Sequence, residues 1–370
     1  MDVSQTIFEE YTDDLGPEKI IHIYEPVAKL RAIVVIDNVA AGPAIGGVRM
    51  APDLTTTEIM RLARAMTLKN AAAGLPHGGG KAGIIADPKT GDKECLIRMF
   101  ARAIESLHDY IPGPDMGTDE SCMAYIFDEI KWAVGLPRVL GGIPLDEIGA
   151  TGFGIAECAE VAKEYIDLDL NGARLVVEGF GNVGKNVARF LEEKGASLVA
   201  ASDTSGTVYN KDGINVSGLI QVKEEKGSVI YYEDAERLKT GDLLKIPGDI
   251  FVPAARPDVI DERNVGTLDT KLVIQGANIA ITTGAEKALH ERGVLSVPDF
   301  IANAGGVIAA AVEYRRGSEK EAFSEIKSKI RANTKKILDK TYSEGLYPRD
   351  AAEMIAKERV LSAMSYRGCI

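Results

Sequence analysis

The sequence predicts an α/β protein built as two domains, and three observations carry that prediction. The chain has 370 residues, which suggests two domains at roughly 100–200 residues each. Residues 135–150 are rich in glycine and proline (Gly135, Pro137, Gly141, Gly142, Pro144, Gly149), the composition of a linker. Beyond them, short apolar runs alternate with helical patterns, as in a parallel sheet covered by helices.

Composition narrows the function classes. A net charge of −12 argues against nucleic-acid binding and against an anionic membrane surface. No apolar run reaches the roughly 18 residues of a membrane span. The opening Met1–Gln5 has neither a basic nor an apolar signal region, so no secretory signal is expected. The four cysteines (Cys95, Cys122, Cys158, Cys369) form no Cys-x-x-Cys pair, and free thiols in a reducing cytoplasm are expected. The four histidines show no metal-ligand spacing, and no metal is expected.

In chain order, residues 4–15 read as a short helix, and Ile20–Tyr24 and Arg31–Val39 as strands rich in β-branched residues. Gly42–Met50 is a Gly/Pro turn running into another strand. Thr55 is a candidate N-cap with Glu58 three residues on, opening a helix that Gly74 ends. Its apolar stripe is Ile59, Leu62, Ala63 and Met66, and Lys69 falls on the same face. Such a lysine either snorkels to the surface or points a charge into a cleft, where it could hold a carboxylate.

Gly78-Gly79-Gly80-Lys81 follows. Three glycines leave the backbone open to close approach by another molecule, and a lysine then enters an apolar strand, where burial would lower its pKa. Lys81 is therefore a candidate catalytic amine, the plain alternative being a glycine turn with a surface lysine. A P-loop is excluded, because Ala82 stands where it needs Ser or Thr. A helix is expected over about 93–110. Next comes a rigid loop, Ile111–Glu120, carrying Asp115, which serves either as a functional acid or as a turn-supporting one. A helix to about Val134 follows.

After the linker, Thr151–Tyr165 reads as a helix and Arg174–Glu178 as a buried strand. That strand runs into Gly179-Phe180-Gly181-Asn182-Val183-Gly184, then a helix to about Lys194 and a strand at Ser197–Ser202 ending at Asp203. Strand, Gly-x-Gly-x-x-Gly, helix, and an acid about 20 residues on are the context of a dinucleotide site. The glycines permit the tight turn, the approach of the pyrophosphate and close helix packing, and the helix start supplies N–H groups to phosphate. Asp203 would take the adenosine ribose hydroxyls. A carboxylate repels a 2′-phosphate and no Lys or Arg follows until Lys211, so NAD is favoured. Thr204 and Ser205 keep NADP use open. Further strands at Asp249–Val252, Lys271–Gln275 and Val294–Val297 end at Ala254, Asn278 and, a little later, Asn303. Loops at those strand ends line the ligand crevice of such sheets, which sets Asn278 and Asn303 near the nicotinamide unless they are simply turn formers. A long charged helix over Glu319–Glu344 and a last helix from about Arg349 close the chain.

Gly46-Gly47-Val48-Arg49, Lys69, Gly78–Lys81, Pro114-Asp115, Thr151-Gly152, Gly179–Gly184, Gln275–Asn278 and Asn303–Val307 occur in this order. Together they resemble the glutamate/leucine/phenylalanine/valine dehydrogenase family over about residues 40–310. The resemblance implies reversible oxidative deamination of an L-amino acid with a nicotinamide as hydride acceptor. It assigns Lys69 to the substrate α-carboxylate, Lys81 to the low-pKa amine that activates water, and Asp115 to proton shuttling. Gly47, Asn278 and Val307 join the substrate site. Thr151, Gly179, Gly181, Asn182, Val183, Gly184, Asp203, Ala254, Asn278 and Asn303 form the cofactor site. It further implies a substrate and assembly domain over 1–145, with helices 335–370 packing back on it, a Rossmann-like doubly wound domain over 146–334, and a homo-oligomer, commonly a hexamer or octamer.

Glutamate-specific members resemble Gly-Pro-x-Lys-Gly-Gly at the first motif and carry a serine seven residues after the asparagine of Asn-Ala-Gly-Gly-Val. Here those positions are Ile45 and Ala310. Burying a γ-carboxylate against them without a partner would cost several kcal/mol, so an apolar substrate is expected. Gly113, where leucine-type members tend to have alanine, hints at room for a larger side chain. The alternatives are a glutamate dehydrogenase with a rearranged γ-carboxylate site and a catalytically silent nucleotide-binding subunit.

Overall fold

The computed structural model describes residues 12–367. Of the helix expected over 4–15, residues 4–11 lie outside the described residues, and Asp13–Gly16 is a tight turn closed by two backbone hydrogen bonds. The chain divides into two compact units. One comprises the residues to Leu145 with Val307–Ala322 and the residues from Glu353. The other comprises Asp146–Gly306 with Phe323–Ala352. The C-terminal part is thus apportioned more finely than a single 335–370 segment.

The first unit is built on a five-stranded sheet of β1 (Lys19–Glu25), β2 (Leu30–Asn38), β3 (Ala44–Ala51), β4 (Gly78–Ile85) and β5 (Tyr110–Pro114), in the order β1-β2-β4-β3-β5. β2 is antiparallel to β1 and β4, whereas β3 runs parallel to β4 and β5. Helix α1 (Thr56–Ala72) packs on one face through Ile59, Met60 and Ala63 against Ile33 and Val35. Helices α2 (Lys93–Ala103) and α3 (Glu120–Ile130) pack on the other, where Ile97, Phe100, Met123 and Ile126 meet Leu30, Ala32, Val34 and Ile36. Alternate residues of β2 thus feed two cores, which is why it reads as an unbroken apolar run. Thr55 caps α1 as expected, its hydroxyl accepting from Glu58 N at 3.2 Å.

Two local expectations fail here. The helix expected to 110 stops at Ala103, and the rigid loop before Asp115 begins as β5. Pro112 and Pro114 suggested a loop, but β5 is an edge strand paired with β3, where a missing N–H is tolerated. The Tyr110 hydroxyl pins it by donating to Gly46 O at 2.8 Å.

The second unit contains a seven-stranded sheet ordered β12-β11-β10-β6-β7-β8-β9. Its strands are β6 (Arg174–Glu178), β7 (Ser197–Asp203), β8 (Gly206–Tyr209), β9 (Glu236–Leu238), β10 (Ile250–Pro253), β11 (Leu272–Ile274) and β12 (Leu295–Val297). β12 through β7 are parallel, and β8 and β9 add an antiparallel edge. The helices are α4 (Ala150–Ala162), α5 (Asn182–Glu192), α6 (Val216–Lys226), α7 (Thr283–Glu291) and the short α8 (Asp299–Ala302). The chain then enters α9 (Gly305–Tyr314), α10 (Glu319–Glu344) and α11 (Pro348–Ser365). The chain moves outward from β6 to one edge and restarts at β10 beside it, so strand order reverses between β6 and β10. That is the switch point where open α/β sheets bind ligands. No described helix is long and apolar enough to cross a membrane.

Candidate active site

Of the substrate-side candidates, Ile45, Gly47, Lys81, Gly113 and Asp115 gather on one face of the first sheet, whereas Asn278 belongs to the second unit. Ile45 is paired with Gly79 and with Ile111, and the same register runs on to Val48 opposite Ala82 and Pro114. It aligns Gly47 with Lys81 and Gly113, and side chains two apart on a strand share a face. Asp115 follows immediately. Lys81 Nζ lies 2.6 Å from Asp115 Oδ2, and a Cβ on Gly47 would stand 2.7 Å from Asp115 Cβ and 3.2 Å from Lys81 Nζ. Thr118 fixes the acid's backbone, its hydroxyl accepting from Asp115 N at 3.0 Å and donating to Val48 O at 2.8 Å. Lys81 and Lys69 are 5% and 7% exposed, so neither is a surface lysine, and Lys69 sits on the helix that covers this face.

The glycine triplet works differently from expectation. Gly78 and Gly79 lie inside β4, and the groups that approach them are the protein's own. A Cβ at Gly78 would meet Asn38 O at 1.8 Å, and one at Gly79 would meet Thr67 N at 2.0 Å. The missing side chains let β2 and α1 close on β4. Gly47 is the glycine that borders the Lys81–Asp115 pair.

One residue of the cluster had no role assigned from sequence. Arg49, on the face of Gly47, places Nε 3.1 Å from Asp115 Oδ2 and Nη1 2.8 Å from Glu58 Oε1. Its two-residue spacing from Gly47 was the available signal. Burial pushes the Asp115 carboxyl up, but the cations Lys81 and Arg49 outweigh it and hold it down at about 2. Asp115 is therefore a carboxylate at neutral pH, able in its resting state to accept a proton.

Ile45 and Ala310 are buried, at 2% and 3% exposure, and Val307 is half-buried. Glu313, one turn beyond Ala310, accepts from Gly135 N at 3.0 Å and Leu136 N at 2.9 Å. The neighbouring Val134 side chain lies 3.2 Å from where a Gly113 Cβ would be. The Gly/Pro-rich start of the expected linker is thus an ordered wall of this unit.

In the second unit a cavity of about 460 Å³ opens at the switch point, lined among others by Gly179, Gly181, Asp203, Thr204, Lys223, Ala254 and Ala255. Gly179 has φ +85, and a Cβ there would meet Ala255 Cβ at 2.5 Å. A Cβ at Gly184 would meet Gly179 O at 2.0 Å, whereas one at Gly181 would meet nothing within 4 Å. The outer glycines serve the turn and the packing of α5, and the middle one leaves open the space before the helix start at Asn182 and Val183. Asn303 Nδ2 donates to Asn278 Oδ1 at 3.0 Å and to Gly276 O at 3.2 Å, while Asn303 Oδ1 is buried without a protein partner. Thr151 borders Gly306, its hydroxyl 3.2 Å from a Cβ placed there. An open glycine cradle, a helix N-terminus and an orphaned amide oxygen fit a dinucleotide.

The surroundings of Asp203 correct its cation-free picture. Lys223, from α6, reaches Asp203 Oδ2 at 2.6 Å. The carboxylate also accepts from Val229 N at 2.9 Å, Ser205 N at 2.8 Å and Ser228 Oγ at 3.1 Å. Local spacing gave no sign of this, since Lys223 arrives only because α6 packs against α5 and brings it to the end of β7. Elsewhere, burial pushes the Cys158 thiol up to about 12, leaving it inert.

Family comparison decides the identity. The Glu/Leu/Phe/Val dehydrogenase model matches residues 141–368, and the dimerisation-domain model of the same family matches 17–132. The chain belongs to the glutamate/leucine/phenylalanine/valine dehydrogenase family. It is 40% identical over 360 residues to a glutamate dehydrogenase of Aeropyrum pernix, covering 90% of this chain and 85% of the relative. It is 35% identical to an NADP-specific glutamate dehydrogenase of Saccharolobus shibatae, covering 90% and 84%. Among solved structures, hetero-hexameric glutamate dehydrogenase from Thermus thermophilus in its Leu-bound form superposes with a TM-score of 0.89 at 29% identity, covering 96% and 91%. Both NAD-specific and NADP-specific enzymes occur among the relatives. As a family member the protein is an NAD(P)-dependent amino acid dehydrogenase, an oxidoreductase acting on a CH–NH2 donor.

Proposed function

We propose that this dehydrogenase interconverts an L-amino acid with its 2-oxo acid and ammonia through Lys69, Lys81 and Asp115, and that L-glutamate is its substrate. The Lys81–Asp115 contact of 2.6 Å beside the bare backbone of Gly47 carries the catalytic part. The names of the relatives support the substrate.

In this scheme Lys69 holds the α-carboxylate. Lys81 positions the water that adds to the imino carbon and stabilises the resulting carbinolamine. Asp115, an ionised acceptor in the resting site, takes the proton that the water gives up as its C–O bond forms and returns it to the nitrogen as the C–N bond breaks and ammonia leaves, an exchange that its 2.6 Å contact with Lys81 allows. Arg49 keeps that carboxylate oriented. The bound nicotinamide supplies the hydride acceptor. Thr151, Asn278 and Asn303 orient its ring end, Gly179–Gly184 take the pyrophosphate, and Asp203 with Lys223 faces the adenosine ribose. A lysine there offsets the carboxylate's repulsion of a 2′-phosphate, which supports use of both NAD and NADP. The dimerisation-domain match supports a homo-oligomer.

A second substrate, an apolar amino acid such as leucine, valine or phenylalanine, is favoured by one observation. Ile45 and Ala310 are buried and apolar where glutamate-specific members resemble one another in carrying lysine and serine. Reduction of both cofactors with glutamate, leucine, valine, phenylalanine and tryptophan separates the two. A kcat/KM at least about tenfold higher for glutamate supports the first reading. The reverse preference replaces it with the second, and no turnover of any amino acid overturns the catalytic scheme.

A further inference from the structure

A partly buried ionic cluster sits behind the loop that follows β11. Arg349, in the first turn of α11, donates to the Glu286 carboxylate from Nε at 2.5 Å and from Nη2 at 2.8 Å. Nη2 also reaches Asp299 Oδ1 at 3.0 Å and Gln275 Oε1 at 3.3 Å. Asp299, 5% exposed, uses its other oxygen to accept from Ile279 N at 2.9 Å. Ile279 has φ +54. A β-branched residue in the left-handed region is a genuine outlier, and such strain persists only where the surroundings hold it. The residue just before it is Asn278, whose amide oxygen is taken by Asn303, and Asn303 keeps a buried oxygen without a protein partner. That oxygen lies where the chain leaves the C-terminal ends of parallel strands. An unmatched acceptor there suits the NH2 of a carboxamide.

We propose that Asp299 and Arg349 are positioning residues for the nicotinamide end of the cofactor. They hold Ile279 in its strained conformation, and the strained turn presents Asn278 and Asn303 to the carboxamide. Arg349 fixes Asp299, Asp299 fixes the Ile279 N–H, and Asn303 ties Asn278 to Gly276. Neither charged residue touches the cofactor. The inference rests on the dinucleotide site described above and is independent of which amino acid is turned over.

Binding of NADH and of ADP-ribose, which lacks the nicotinamide, tests it on the full chain by calorimetry. Asp299→Ala weakens NADH by about tenfold or more and leaves ADP-ribose affinity within about twofold. Adding Ile279→Gly recovers most of the NADH affinity, because glycine adopts φ +54 without being held. Arg349→Lys keeps the charge, loses the planar fork, and shows a smaller loss of the same selectivity. It keeps the test open if Asp299→Ala does not fold. Equal loss of both ligands, or no recovery with Ile279→Gly, overturns the proposal in favour of a purely structural cluster. A wild-type chain that binds neither ligand overturns the dinucleotide site itself, a distinguishable result.

Discussion

A methyl group at Gly47 would sit 2.7 Å from Asp115 Cβ and 2.8 Å from Pro114 O. Neither neighbour is the free end of a flexible chain. Gly47→Ala is expected to displace Asp115 from Lys81 while sparing the remote core, and a displacement of about 1 Å costs roughly 10²-fold in rate. The check is a fall in kcat with near-normal binding of NADH. Lys81→Ala should abolish turnover while NAD affinity stays close to wild type, because the two sites are built by different strands. Substantial residual activity would remove the amine from the mechanism. At the other ligand, Lys223→Gln is expected to raise the KM for NADP by about tenfold while changing that for NAD by less than about threefold, since only the former brings a 2′-phosphate to the lysine. Equal changes for both cofactors would show that Lys223 merely props Asp203.

At the scale of elements, the informative case is β4. Glycine three times over, then lysine, reads locally as a turn, yet it is a central strand between β2 and β3. Gly79 is what a close α1 requires, and Gly78 what the close end of β2 requires. Gly79→Ala would put a Cβ 2.0 Å from Thr67 N, backbone that cannot rotate away. Overpacking of this kind costs about 1–3 kcal/mol or more, read as a lower midpoint in urea. A neutral outcome would mean that α1 shifts freely on the sheet. β5 teaches the complementary lesson: its prolines obey local rules, but edge position makes those rules permissive. The caps, the β2 run and the strand–glycine–helix unit at β6 were legible because each depends on neighbours in sequence.

For the whole molecule, acid stability follows from the paired carboxylates. Asp115 is held at about 2, below the roughly 3.9 of an unfolded aspartate, by Lys81 and Arg49 acting against burial. Its contribution of about 2–3 kcal/mol is complete above pH ~4 and is lost as pH falls through 2. Asp203 and Glu157 are lowered too, against burial, by Lys223 and by Lys194 and Arg331 respectively, and they act in the same direction. The thermal midpoint should therefore fall steadily between pH ~4 and ~2, and Asp115→Asn should flatten part of that slope. An unchanged slope in Asp115→Asn would show that the pair contributes nothing to folding.

By itself the sequence determined the alternation of elements and the strand–glycine–helix unit, and it singled out Lys69, Lys81 and Asp115 as candidates, because periodicity and short motifs are local and survive without tertiary context; the burial of both lysines came only with the fold. Only the tertiary structure decided which of those residues meet. The common register of β3, β4 and β5 set Gly47, Lys81 and Gly113 on one face and brought Arg49 to Asp115. The return of α6 carried Lys223 to Asp203, and α11 sent Arg349 behind the Asn278 loop. Such contacts join residues far apart in the chain, so no spacing rule reports them. They are fixed by sheet order and helix packing, which the burial of apolar side chains selects.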